Sequence, residues 1–234
     1  EYSSPLFIFV YYYNKMQTLK TSKAKENILS RIRKGLTGKP VVMPFPEAEK
    51  DAAGNLYATS DLSIEETFAN AFISLGGKFV FCDNEKELLE NIYNLYESRG
   101  WKQLLCSDAH LLQLFRNNKL EIASDAAVAK ETADACITDC ETLVARTGSI
   151  IFSSRQHMGR TAPVFYPVHI VIAYSNQIVP DIEQAISLLK KRYGSELPSM
   201  INLNTGPSRT ADIEKTLVVG VHGPGEVFCF YINA

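Results

Sequence analysis

The chain has 234 residues, 46% hydrophobic and 21% charged, with a formal net charge of -2. That is ordinary globular composition and length enough for a self-sufficient core. The balanced charge excludes the broad basic field of nucleic-acid binders and of proteins held on anionic lipid, although one local pocket can still be positive for a small anion.

In chain order, residues 1–15 carry the aromatic run SPLFIFVYYY. It is shorter than the roughly 20 residues that cross a bilayer, so no membrane span is expected. It also lacks the basic start and small-residue cleavage site of a secretory signal. These residues read as an extension outside the domain, either upstream translated sequence or an added edge strand, with Met16 resembling a natural start. Residues 16–60 form an N-terminal helix and a connector. In KAKENILSRIRKGL, Ile28, Leu29, Ile32 and Leu36 recur at helical spacing. Residues 37–60 are rich in proline and glycine and read as an extended arm or lid.

From residue 61 to 234 a single α/β domain is expected. SIEETFANAFISLGG is a helix opened by a Ser63/Glu66 capping box. KFVFC is a strand, and NEKELLENIYNLYESRG a helix begun at Asn84 and stopped at Gly100. KQLLC is again a strand, and DAHLLQLFRNN a helix capped by Asp108. This alternation predicts a mostly parallel central sheet with right-handed crossovers. ACITDCETLVARTGSIIFSS changes grammar and reads as a hairpin region inserted into that sheet, turning at Thr147-Gly148-Ser149. VHIVIAYS is an uncharged strand buried on both faces. PDIEQAISLLKKRYG is a helix with Pro180 in its first turn and Gly194 as its stop, and EVFCFYIN is the last strand.

The five cysteines, Cys82, Cys106, Cys136, Cys140 and Cys229, are odd in number and sit in apolar, strand-like surroundings. They read as small hydrophobes in a reducing, cytoplasmic setting. Cys136 and Cys140 have three residues between them and no second pair or nearby histidine, so no metal site is expected.

The most informative stretch is INLNTGPSRTADIEKTLVVGVHGPGE. It reads as strand, glycine turn, short helix, strand and a second glycine loop. Gly206 and Pro207 make the first turn, Ser208 or Thr210 caps the helix, and Asp212 and Glu214 suit its first turn. Free N–H groups at that helix start, beside Arg209, would hold a carboxylate or a phosphate. Gly220 and Gly223 let the second loop approach the ligand, with His222 between them as the candidate proton carrier. Both loops are expected at the carboxyl ends of the strands, where open α/β sheets bind ligands. The competing reading makes them ordinary turns, with Arg209 pairing to Asp212 or Glu214. In the middle block, Glu141, Thr147 and Gly148 are further ligand candidates, and a plain hairpin turn is the alternative. His169 reads as a satisfied core histidine rather than a base, and Arg155 and Arg160 either close over an anion or stay solvated.

GPSRTADIE…LVVGVHGPGEV resembles the closing signature of the lactate-utilization (LUD-domain, LutC-type) family. ETLVARTGSI and GRTAPVFYPVHIVIAYSNQIV resemble its middle block, so the likeness runs over about residues 60–234. The resemblance implies a three-layer fold of the NagB/RpiA/CoA-transferase-like superfamily, near the 5-formyltetrahydrofolate cyclo-ligase type. It also implies a part in oxidising L-lactate to pyruvate beside iron–sulfur partner subunits. The chain has no ferredoxin-type cysteine spacing, so no cofactor is expected in it and clusters belong to the partners. A stand-alone cyclo-ligase or acyl-transfer enzyme and a non-catalytic assembly module are the alternatives; a Walker-type phosphate loop is lacking.

Overall fold

The computed structural model describes residues 23–38, 61–120, 132–156, 158–213 and 216–233, with the side chains of 211–213 and 216 also left out. The extension 1–15, most of the connector, His157, Glu214 and the side chain of Asp212 therefore lie outside the described residues. The chain divides between residues 59 and 60. In the first unit the expected helix is α1, Lys23–Leu36.

The second unit opens with α2, Ile64–Ser74. The Glu66 N–H donates to Ser63 Oγ at 3.2 Å and the Ser63 N–H to Glu66 Oε2 at 2.9 Å, which fixes where the helix begins. Strand β1, Lys78–Cys82, leads to α3, Glu85–Arg99. Asn84 caps α3, and Gly100 ends it at φ 61°, a conformation suited to glycine. Strand β2, Leu104–Cys106, precedes α4, Ala109–Asn117, whose cap Asp108 accepts from the Leu111 N–H at 2.8 Å. Strands β3 (Ala135–Thr138), β4 (Thr142–Val144) and β5 (Ser149–Ser153) follow, then the short α5 (Ala162–Phe165), β6 (Val168–Tyr174) and β7 (Ile178–Val179). Helix α6 runs Ile182–Tyr193. Its cap is Asp181, with Pro180 just outside rather than in the first turn, and Gly194 closes it at φ 55°. Strands β8 (Ile201–Asn204), β9 (Arg209–Ile213), β10 (Thr216–Val219) and β11 (Glu226–Ile232) complete the order.

The central sheet has five parallel strands in the order β1-β11-β6-β3-β2. One face packs under α3 and α4 through Leu88, Ile92, Leu111 and Phe115. The other is covered by Phe68 and Phe72 of α2 and by Leu143, Ile150 and Phe152. Strand β6 serves both sides, Ile170 and Ile172 one way and Val171 and Ala173 the other, as its uninterrupted apolar sequence requires. Each fully buried Phe or Leu side chain here contributes about 1.5–3 kcal/mol.

Two expectations are corrected. The hairpin β4–β5 is not inserted into the parallel sheet. It belongs to a second sheet of four strands, β7-β4-β5-β8. Successive residues of β5 face opposite ways: Ile150 and Phe152 meet the central sheet, while Ile151 meets Ala185 and Leu189 of α6. With the central sheet on one side and α6 on the other, the second sheet forms a middle layer in which both faces of β5 are buried. The short helix expected after Gly206 is likewise absent. Residues 209–213 are strand β9, paired antiparallel with β10. Capping residues at 208–210 lose to pairing with the β-branched run of β10, because tertiary partners override local propensity.

Candidate functional site

The two glycine loops do converge. Gly206, at φ 78°, lies against the end of α2, where an added Cβ would stand 3.1 Å from the Leu75 carbonyl oxygen. Gly220 has φ 82°, and a Cβ there would come within 2.9 Å of Gly225 Cα; a Cβ on Gly223 would come within 2.9 Å of Ser208 Cβ. The Ser208 N–H donates to the Pro224 carbonyl at 2.9 Å and the Gly220 N–H to the Ser208 carbonyl at 3.0 Å. So the loops are stitched together by the very amides that were expected to face a ligand.

Arg209 is turned elsewhere. Its guanidinium donates to the Leu75 carbonyl at the C-terminal end of α2. There a cation complements both the helix dipole and an orphan carbonyl. With no helix after Ser208, the anion cup loses both its helix N-terminus and its guanidinium. Thr210 is part of β9, in register with Val218.

Between the loops, β8 and α5 there remains a cleft of about 230 Å³. Pro163, Val164 and Pro224 give it apolar walls, while Asn202, Asn204, Thr205, Ser208 and His222 supply polar groups. Gly206 and Pro207 also border it, and His222 stands exposed at the rim. Asn202 and Asn204 were missed from sequence, although the polar–apolar alternation of INLN was a legible sign. The cleft lies at the amino ends of the parallel strands. Its loop 220–225 runs directly into β11, and the Gly225 N–H donates to the Pro167 carbonyl, just before β6, at 2.9 Å. The expectation of a carboxyl-end location is thus overturned.

What stands at the carboxyl ends is a set of acids and a phenol: Asp108 after β2, Asp139 after β3 and Tyr174 closing β6. Burial pushes the Asp139 carboxyl up to about 6, helped by the charges of Asp108 and Glu141 and opposed by neighbouring Gln156. No well-formed hydrogen bond reaches Asp139 Oδ1, Gln156 Nε2 or the Tyr174 hydroxyl among the described residues. Acids placed directly after predicted strands were the sequence signal for this edge.

The middle-block candidates turn out to brace the fold. Gly148, at φ 59°, packs on the α2 backbone so closely that a Cβ would lie 2.4 Å from the Phe72 nitrogen. Ser149 Oγ donates to Thr147 Oγ1 at 2.8 Å and is 2.9 Å from Thr205 Oγ1, which joins this turn to the start of the Gly206 loop. Glu141 is buried, accepting from Ser153 Oγ at 2.5 Å and from the Tyr193 hydroxyl at 2.6 Å, and it is paired with Arg192. That network locks the hairpin to α6, and none of it lines the cleft. Arg155 braces Glu196, and Arg160 donates to Ser199 Oγ.

His169 is a core histidine, but only half satisfied. Its Nε2 lies 2.8 Å from Thr138 Oγ1, its Nδ1 has no partner among the described residues, and burial pushes its pKa down to about 3. All five cysteines are buried, and burial raises every thiol, Cys106 to about 12. No group of three His, Cys, Asp or Glu able to hold a metal occurs among the described residues, and among them no helix is long and apolar enough to cross a membrane.

Residues 66–232 match the model of the LUD domain. The chain is 39% identical over 105 residues to lactate utilization protein C of Bacillus velezensis, covering 44% of each. It is 40% identical over 96 residues to the Bacillus subtilis protein of that name, covering 40% of each. With the Halalkalibacterium halodurans protein of the same name it shares 31% over 152 residues, 61% of this chain and 66% of that one. Its matched part thus spans under half the length of the first two relatives. Among solved structures, a DUF162 family protein from Deinococcus radiodurans superposes with a TM-score of 0.55 at 19% identity, over 75% of this chain and 100% of that one. That likeness supports the α/β fold with its mostly parallel central sheet.

Proposed function

Because this chain belongs to the LUD-domain family, we propose that it serves lactate utilization by holding a small hydroxycarboxylate, lactate or pyruvate, in the cleft between β8, α5 and the two glycine loops. The observation that carries the proposal is the cleft itself, small and lined by neutral donors. At about 230 Å³ it falls below the roughly 300–1,000 Å³ of pockets for drug-sized ligands, which favours a three-carbon acid over a nucleotide. The amides of Asn202 and Asn204 and the hydroxyls of Thr205 and Ser208 can donate to a carboxylate. His222 is the side chain of that lining placed to accept a proton from the hydroxyl of a bound hydroxycarboxylate.

Oxidation of L-lactate to pyruvate releases two protons and two electrons, and in this reading the electrons pass to iron–sulfur partner subunits. The thiols of this chain are poorly suited to hold a cluster, being buried and thereby kept protonated. Calorimetric titration of the whole chain with L-lactate and pyruvate tests the proposal. Asn204→Ala and His222→Ala should each weaken binding about tenfold, the loss of one good polar contact. Arg209→Ala should leave affinity nearly unchanged, because its guanidinium is committed to α2. Equal affinity in all three variants and the parent would place the ligand elsewhere.

A further inference from the structure

A second cleft, of about 470 Å³, lies between the first two turns of α2 and β1. Ser63, Glu65, Glu66 and Ala69 form one wall, Phe79 and Phe81 the other, and Asn233 stands beside them. Phe79 and Phe81 fall on the same side of β1 by strand alternation. Both rings lean on Tyr231, with centroids 6.0 and 5.9 Å away. Phe81 is 45% exposed, so the aromatic wall is open to solvent.

Among the described residues, the charged groups of this lining are carboxylates, with no Lys, Arg or His beside them. Both are held in place. Glu65 Oε1 accepts from the Tyr231 hydroxyl at 3.3 Å, and Glu66 Oε2 from the Ser63 N–H at 2.9 Å. A hydrogen bond from its own backbone amide holds the Glu65 carboxyl below its ordinary range, against burial, so it is ionised at neutral pH. Each carboxylate keeps further lone pairs for a ligand. An anion would be repelled here. A neutral apolar ligand would strip water from two charges without replacing it. A cation on an apolar stem satisfies both walls, its face on the rings and its N–H groups on the carboxylates.

We propose that this cleft binds an alkyl-guanidinium group, carried either by a small molecule or by an arginine side chain. Guanidinium is favoured over ammonium because a planar group stacks on phenylalanine while donating edgewise to a carboxylate. Among the described residues β1 is an edge of the central sheet, so an arginine in an extended segment can reach the cleft as well. The proposal is independent of the lactate reading, which concerns the opposite end of α2.

The test is a titration of the isotopically labelled full chain, following the Asn233 side-chain amide and the Ala69 backbone amide by NMR. One arm uses n-butylguanidinium, the second acetyl-Val-Arg-Val-amide, and the third the uncharged n-butylurea. Saturable shifts are expected with a cationic arm and none with the urea. Saturation by the peptide alone assigns the site to an arginine side chain; saturation by the free cation admits a small molecule, and either result supports the proposal. Binding should weaken at least about tenfold in Glu65→Gln, which keeps an acceptor for Tyr231, and in Phe81→Ala, which removes an exposed ring. Glu183→Gln, an exposed acid on α6, should change nothing. No saturation by either cation, equal binding of the urea, or full affinity in Glu65→Gln would each overturn it.

Discussion

His169→Gln should make the protein more resistant to acid. The side chain is 0% exposed, and burial holds its pKa at about 3 against the ordinary 6.5. Above pH 6.5 the imidazole is neutral in both the folded and unfolded chain, and it contributes no pH dependence. Below 6.5 the unfolded chain takes up a proton that the folded one refuses until about pH 3, so stability falls as the pH drops through that window. The loss is about 1.4 kcal/mol per pH unit, or about 2.7 kcal/mol at pH 4.5. That is a large share of a typical folding free energy of about 5–15 kcal/mol. Asp139 works in the opposite sense. Its pKa is raised to about 6, so the folded chain binds the extra proton and gains stability as pH falls from 6 towards 3.8. The gain is reduced because Asp139 is partly exposed. The parent's own pH profile is therefore muted, and the difference between parent and variant isolates the histidine. Urea unfolding followed by the fluorescence of Trp101 at about pH 7 and about pH 4.5 measures it. Glutamine does not titrate, so the stability difference should move in the variant's favour by about 2–3 kcal/mol between the two conditions. Parallel profiles would refute the assignment of a buried neutral imidazole.

Gly148→Ala should destabilise the fold by more than about 2 kcal/mol, since it adds a Cβ at φ 59° 2.4 Å from the α2 backbone. An unchanged thermal midpoint would contradict that packing. Glu141→Gln should cost about 1–3 kcal/mol, because it weakens a buried network on Ser153, Tyr193 and Arg192. Lactate affinity should stay at the parental value in that variant if Glu141 locks the hairpin to α6 rather than touching ligand.

The helices and strands of the central sheet were legible because their signals are local. Ser63 with Glu66, Asn84, Asp108 and Gly100 act within a few residues of their own helices, and the charge-free run of β6 announces burial on both faces. What was not legible depended on distant partners. The cap-rich sequence around Ser208 suggested a helix, but β9 is held as strand by β10. Arg209 and the Leu75 carbonyl are separated by 134 positions, so nothing near Arg209 revealed that its charge was already committed. The two glycine loops do meet, as their shared assignment to one edge of the sheet implied, but the edge is the other one. Their place at the amino ends of the strands follows from chain direction, which their composition does not encode. Asp139 escaped notice for a related reason, because its perturbation comes from burial beneath neighbours remote in sequence.

The sheet order carries a consequence for biosynthesis. Among the described strands β11 is the last in chain order, yet it is seated between β1, the first of them, and β6. Until β11 is made, β1 has no partner among the described strands and the flank of β6 is bare, so the nascent chain carries two sticky borders from the completion of β6 onward. Premature termination just ahead of Glu226 would remove no surface ornament. It would leave β1 cut off from the other strands of its sheet, and such a fragment is expected to need a chaperone or to precipitate.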